Sequence, residues 1–368
     1  MKELRNIFKK YKETKLTSQI SAALVTVVRV EGSSYRRTGA RMFVCDDGTW
    51  VGGISGGCLE GDALKRAKLA ILKSSPSLIT YDTSTDDDHQ IGVGLGCNGI
   101  IDVLFVPIDF SDEFNPVEQL IKINSIKNSK KIAITVCNSI NNSDLWGRII
   151  SLQDDLLLER LNEFVNLTSL KEKIIGLEKS KNIFFENGLQ LFVEVIPKPI
   201  HVFLMGHQYD LYPLISLIKE LSWNLNIVAE PSKVNALERN ICISNTDFDN
   251  FNLEENTAII LMSHSLETDK KNLLKIKDSH VKYIGMLGPK VRAEKIINEL
   301  NKEGHIFKEE LLKTIYAPVG LDIGAQTPDE IALSIVAEIK AVFSNRTGES
   351  LRKRAMPIND REKPMLFN

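Results

Sequence analysis

Apolar and polar positions fall into two patterns along the chain. From Ser21 to Val30 the residues are almost continuously apolar and β-branched (SAALVTVVRV), which predicts a strand buried on both faces. Arg41 to Cys45 predicts a second strand, followed by a turn at Asp46-Asp47-Gly48. Ala63, Ala67, Ala70 and Ile71 recur at helical spacing, so Glu60 to Lys73 predicts a helix; Ile100 to Pro107 predicts another strand. Ahead of these, Met1 to Lys15 is a charged, helix-like leader. Between Ser111 and Lys198, Asn- and Lys-rich stretches separate apolar runs at Lys131–Val136 and Gln190–Ile196, and this part is expected at the periphery of the first domain.

Pro197-Lys198-Pro199 marks a boundary, because paired prolines stiffen the chain and end regular structure. Beyond it, strand patterns at Ile200–Met205, Asn226–Ala229, Thr257–Met262 and Val281–Leu287 alternate with helical ones, beginning with Tyr209–Leu221. That alternation predicts a parallel sheet with crossover helices. The last helix opens with Thr327-Pro328-Asp329-Glu330, a capping box with proline at the first helical position, and carries Ile331, Ile335, Ile339 and Val342 on one face. The pattern thus predicts an α/β protein with a small N-terminal α/β domain (residues 1–196), a Rossmann-like parallel-sheet domain (197–345) and a polar tail (346–368).

Composition narrows the function classes. Lys+Arg 46 against Asp+Glu 48 leaves a net charge of -2 and no basic excess, which argues against nucleic acid as a partner. The N-terminus lacks an apolar core and no segment is long and apolar enough for a bilayer, so a cytoplasmic protein without membrane association is expected. Cys45, Cys58, Cys97, Cys137 and Cys242 form an odd set without metal-ligand spacing, pointing to reduced thiols.

Two of those cysteines carry the candidate chemistry. Gly52-Gly53-Ile54-Ser55-Gly56-Gly57-Cys58-Leu59-Glu60 and Gly92-Val93-Gly94-Leu95-Gly96-Cys97-Asn98-Gly99 set a thiol among glycines, where a bulky ligand can approach the sulfur. Cys58 falls at the start of the Glu60 helix, and the amide groups there favour a thiolate. Gly56, Gly57, Glu60, Gly96 and Asn98 join the candidate set, and a redox disulfide between the two cysteines is the competing use. Arg36, Arg37 and Arg41, with Ser33 and Ser34, make a donor cluster suited to a phosphate or another polyoxyanion. In the second domain, Leu204-Met205-Gly206-His207-Gln208-Tyr209 departs from G-x-G-x-x-G. Gly206, His207, the later acid Glu230 and His264 near a strand end remain as candidates. An NAD(P)-dependent oxidoreductase using this domain is the alternative function.

GSSYRRTGARM (Gly32 to Met42), GGISGGCLEGD (Gly52 to Asp62), GLGCNGIIDVLFVP (Gly94 to Pro107), YIGMLGPK (Tyr283 to Lys290) and APVGLDIGAQTPDEIALSIVAEI (Ala317 to Ile339) together resemble the XdhC/CoxI family of molybdoenzyme maturation factors. The resemblance implies a chaperone that binds molybdenum cofactor (molybdopterin), protects it while a cysteine desulfurase replaces an oxo ligand with sulfide, and delivers it to an apo molybdoenzyme of xanthine dehydrogenase type. It also implies a homodimer. In that setting Arg36, Arg37 and Arg41 would take the cofactor's phosphate monoester, and Cys58 or Cys97 would lie against its metal and dithiolene. Two departures weaken nucleotide binding by the second domain: Leu204 stands at the first glycine of the family's glycine-alanine-glycine-histidine turn, and Ser232 stands about where arginine is usual.

Overall fold

The computed structural model describes residues 2–17, 19–32, 34–82, 99–126, 130–138, 144–355 and 364–367. It divides into two compact units, one formed by Met1–Lys198 with Ala355–Asn368 and the other by Pro199–Arg354.

The first unit begins with helix α1 (Lys2–Lys15), whose Ile7, Tyr11 and Thr14 are buried. Strands β1 (Ala22–Gly32), β2 (Arg41–Cys45) and β3 (Trp50–Gly52) follow, then α2 (Glu60–Lys73), β4 (Ser77–Asp82) and β5 (Gly99–Ile108). They form an antiparallel sheet of order β3-β2-β1-β5-β4. Because side chains alternate across a strand, β1 feeds two cores. Ala23, Val25 and Val27 pack with Ala63, Ala67 and Ala70 of α2, where the small alanines let the helix lie close to the sheet. Ala22 and Leu24 pack on the opposite side with Ile7 and Tyr11. This explains the unbroken apolar run in the sequence.

The region expected to be peripheral is a second sheet with its own core. After α3 (Pro116–Ser125) come β6 (Lys131–Val136), β7 (Ile149–Ser151), α4 (Asp155–Asn162), α5 (Leu167–Ile175), β8 (Lys181–Phe185) and β9 (Gln190–Ile196). Ile134, Leu191 and Val193 of the strands bury against Leu158, Leu161, Leu170 and Ile174 of the helices. Its other face supplies Ala133 and Ile149 to the cluster that holds α1 and α3.

The second unit runs β10 (His201–Met205), α6 (Leu211–Glu220), β11 (Asn224–Val228), β12 (Cys242–Ile243), α7 (Asn245–Phe248), β13 (Thr257–Leu261), α8 (Leu266–Lys275), β14 (Tyr283–Met286), α9 (Lys290–Lys302), α10 (Glu309–Leu312), β15 (Ile315–Tyr316) and α11 (Pro328–Phe343). All pairings in its six-stranded sheet are parallel, in the order β12-β11-β10-β13-β14-β15. Val202 and Leu204 face α6 and α11 while Phe203 and Met205 face α8 and α9, so the sheet is covered on both sides as a Rossmann-like fold requires. The Thr327–Glu330 capping box opens α11. Strand order reverses between β10 and β13, which makes the crevice beyond their C-terminal ends the ordinary ligand position for this architecture.

The end of the chain differs from the expected polar tail. Met365–Phe367 forms β16, which pairs in parallel with β8 in the first unit and buries Phe367 in the second sheet's core. The polar stretch therefore precedes an anchored strand.

Candidate functional site

Three segments of the first unit meet around Cys58. Gly52 has φ +86°, and a Cβ there would stand 2.2 Å from the Arg41 carbonyl oxygen, so only glycine allows β3 to turn this tightly against β2. The next amides are taken up by carboxylates. The Glu60 Oε1 accepts hydrogen bonds from the amides of Ile54 (3.2 Å) and Ser55 (2.8 Å), and its Oε2 accepts from the Ser55 hydroxyl. Ser55 Oγ in turn accepts from the amides of Gly57 (3.2 Å) and Leu59 (3.0 Å). Ile54 and Leu59 are buried on either side, while Cys58 is exposed. Glu60 thus buckles the loop to the first turn of α2 and leaves the thiol at the surface.

That buckle requires an ionised carboxylate. Burial pushes the Glu60 pKa upward, but hydrogen bonds from the Ser55 hydroxyl and from the amides of Ser55, Glu60 and Ile54 outweigh it, and the net shift is downward. Leu59, the residue capping α2, makes no side-chain cap bond, so Cys58 lies beside a helix N-terminus whose amides are not covered by a capping side chain.

The arginine loop reaches the same place. The Tyr35 ring lies against Gly56, where a Cβ would come within 3.3 Å of it, yet Tyr35 is 74% exposed. Arg36 pairs with the Glu3 carboxylate of α1, and the other Glu3 oxygen accepts from the Gly53 amide at 3.0 Å. Ser34 is half-buried and Arg37 exposed.

Arg41 does not belong to this set, contrary to the sequence expectation. Its guanidinium is 1% exposed and makes a bidentate pair with Glu194 of β9, at 3.0 and 2.5 Å, with a further bond to the Gly39 carbonyl. It ties the unit's two sheets together and has no surface from which to meet a ligand. Ser33, Gly96, Cys97 and Asn98 lie outside the described residues, so the competing disulfide has one member there. Cys45, Cys58, Cys137 and Cys242 are free thiols.

In the second unit, Gly206 ends β10 where a Cβ would fall 2.4 Å from the Met262 carbonyl oxygen; its glycine serves close packing at the crevice floor. His264 holds φ +58°, and its Nε2 lies 2.7 Å from Asp210 Oδ2. Asp210 precedes α6 and His264 follows β13, so this pair spans the strands that flank the switch point. A pyrophosphate approaching the α6 N-terminus would meet the Asp210 carboxylate. His207 is half-buried beside Gln208, and Glu230 is exposed after β11. Behind the crevice, buried Asp269 accepts from Ser263 and pairs with Arg292 at 2.7 Å.

Two family models match the chain, the XdhC and CoxI family over residues 16–82 and the XdhC Rossmann domain over residues 202–339. The chain belongs to the XdhC/CoxI family. The first XdhC/CoxI match contains Arg36, Cys58 and Glu60; the second covers the parallel sheet and its crevice. Among related XdhC-like proteins, a probable xanthine dehydrogenase subunit of Bacillus subtilis (strain 168) is 28% identical over 337 residues, which are 88% of this chain and 94% of that protein. The molybdenum cofactor insertion chaperone PaoD of Escherichia coli (strain K12) is 22% identical over 336 residues, 91% of this chain and 87% of PaoD. A solved structure described as a xanthine dehydrogenase from Bacillus halodurans shares the fold with a TM-score of 0.67 at 24% identity, covering 94% of this chain and 98% of that one.

Glu3, Ser55 and Tyr35 join the site without having been singled out in the sequence. Tyr35 carried a signal, an aromatic residue between serines and arginines in a glycine-flanked loop. Glu3 carried none, because its partners lie 33 and 50 residues away.

Proposed function

We propose that this XdhC/CoxI-family chain is a carrier that binds molybdenum cofactor at the Cys58 loop and inserts it into an apo molybdoenzyme of xanthine dehydrogenase type. The observation that carries this reading is an exposed thiol at a helix N-terminus, on a loop buckled by Glu60 and joined through Glu3 to Arg36. A thiolate suits a soft metal–sulfur centre, and a guanidinium suits a phosphate monoester. The residues present therefore fit both ends of the cargo. The names of the relatives support the same reading, since one is an insertion chaperone for this cofactor and another a probable subunit of xanthine dehydrogenase.

A carrier needs no turnover of its own. It must hold its cargo less tightly than the client does, which is a difference of affinities. The reading extends to protection of the cofactor while a cysteine desulfurase sulfurates it, to a homodimeric carrier, and to a cytoplasmic setting. Among the described residues no helix is long and apolar enough to cross a membrane.

The test is transfer. Cofactor-loaded protein mixed with a purified apo xanthine dehydrogenase-type enzyme should restore activity faster than an equal amount of free cofactor, and Cys58→Ser should lose that advantage. Equal rates for carrier and free cofactor would reject insertion as the function.

A further inference from the structure

Glu3 stands where an anion would. Its two carboxylate oxygens are divided between the Arg36 guanidinium and the Gly53 N–H, the pairing of charged and backbone donors that a phosphate also seeks. We propose that Arg36 and Gly53 form the phosphate subsite of the Cys58 site, and that Glu3 holds this subsite closed until a phosphate monoester displaces it. The assignment of the phosphate to the cofactor rests on the function proposed above; the anion subsite itself does not.

The surrounding geometry makes Glu3 displaceable. Its side chain is 33% exposed and that of Arg36 31%, so the pair is open to water and ions. The first buried residue of α1 is Ile7, so Glu3 can swing outward while the helix stays packed. Gly53 N–H also donates to the Arg41 carbonyl at 2.9 Å, and this second acceptor keeps it paired when Glu3 leaves. Glu60 and Ser55 hold the rest of the loop independently. Arg41 offers a contrast, since its carboxylate partner shares its burial and no anion can reach them. A phosphate monoester brings more charge than a carboxylate and a third oxygen, so it competes well for the same two donors.

The contact reads two ways with opposite predictions. If Glu3 only braces the two loops, removing it loosens the donors and weakens anion binding. If it competes, removing it strengthens binding. Inorganic phosphate titrated into the full-length protein and followed by calorimetry decides between them, using wild type, Glu3→Gln, Glu3→Ala, Arg36→Ala and the Glu3→Gln/Arg36→Ala double variant. Thermal unfolding of each variant checks that it is folded. The proposal expects both Glu3 variants to bind phosphate roughly threefold or more tightly than wild type, the scale of a partly exposed ion pair, and the double variant to show no gain over Arg36→Ala. Unchanged or weaker binding in folded Glu3 variants overturns it, as does a gain that survives without Arg36.

Cofactor retention measured in parallel separates the two ideas. A phosphate gain in the Glu3 variants with no cofactor retained by wild type supports the subsite and rejects the carrier function. Cofactor retained by wild type with no phosphate gain in the variants does the reverse.

Discussion

Two glycine turns that each link a strand to a helix serve opposite purposes. Between β3 and α2, the turn folds its amides inward onto Glu60, Ser55 and Glu3 and leaves Cys58 outside. Between β10 and α6, Gly206 presses against the Met262 backbone, and Asp210 and His264 occupy the crevice above. The first turn presents chemistry; the second closes packing. A glycine in a strand–helix turn is therefore no guide to ligand binding until its neighbours are known.

Substitutions can break this comparison, and the largest effect belongs to the buried arginine. Arg41→Ala should destabilise the first unit by about 3 kcal/mol in denaturant unfolding, because Glu194 is left largely buried without its partner. Arg36→Ala should cost under about 1 kcal/mol, since the Glu3 pair is partly exposed. Similar losses for the two would erase the division between structural and site arginines.

The glycines come next. Gly206→Val should cost about 2–3 kcal/mol in thermal or denaturant unfolding, because its Cβ would collide with backbone. Gly57→Ala meets no atom within 4 Å and carries only the strain of φ +113°, which is about 1 kcal/mol. If the order were reversed, the second turn would not be the packed one.

A smaller effect is expected from pH. Because Glu60 has its pKa lowered from 4.5, its contribution is fully present above that value and is lost as pH falls through the lower folded-state value. Stability of the first unit should therefore decline below about pH 4.5 less steeply in Glu60→Gln than in wild type, as read by denaturant midpoints. Parallel declines would mean that the buckle does not depend on the charge.

Much of this architecture was legible in the sequence, for reasons that also explain the failures. Glu60–Lys73 and Lys131–Val136 matched their predicted limits because periodicity and apolar runs are local signals. The parallel sheet followed from alternation beyond the paired prolines. The second sheet of the first unit did not announce itself, since β7 and β16 are only three residues long and polar stretches surround them. At the site, glycine flanks and helix spacing marked Cys58 and placed Glu60 nearby. They could not distinguish Arg36 at the surface from Arg41 in the interior, because that depends on Glu194, distant in sequence. The same limit hid Glu3.

The central claim is that the Cys58 loop binds molybdenum cofactor, and the direct measurement is retention of molybdenum and cofactor absorbance after ultrafiltration of wild type and Cys58→Ser. Near-stoichiometric retention by wild type that falls to background in folded Cys58→Ser is the predicted result. Equal retention by both proteins, or none by folded wild type, would contradict it.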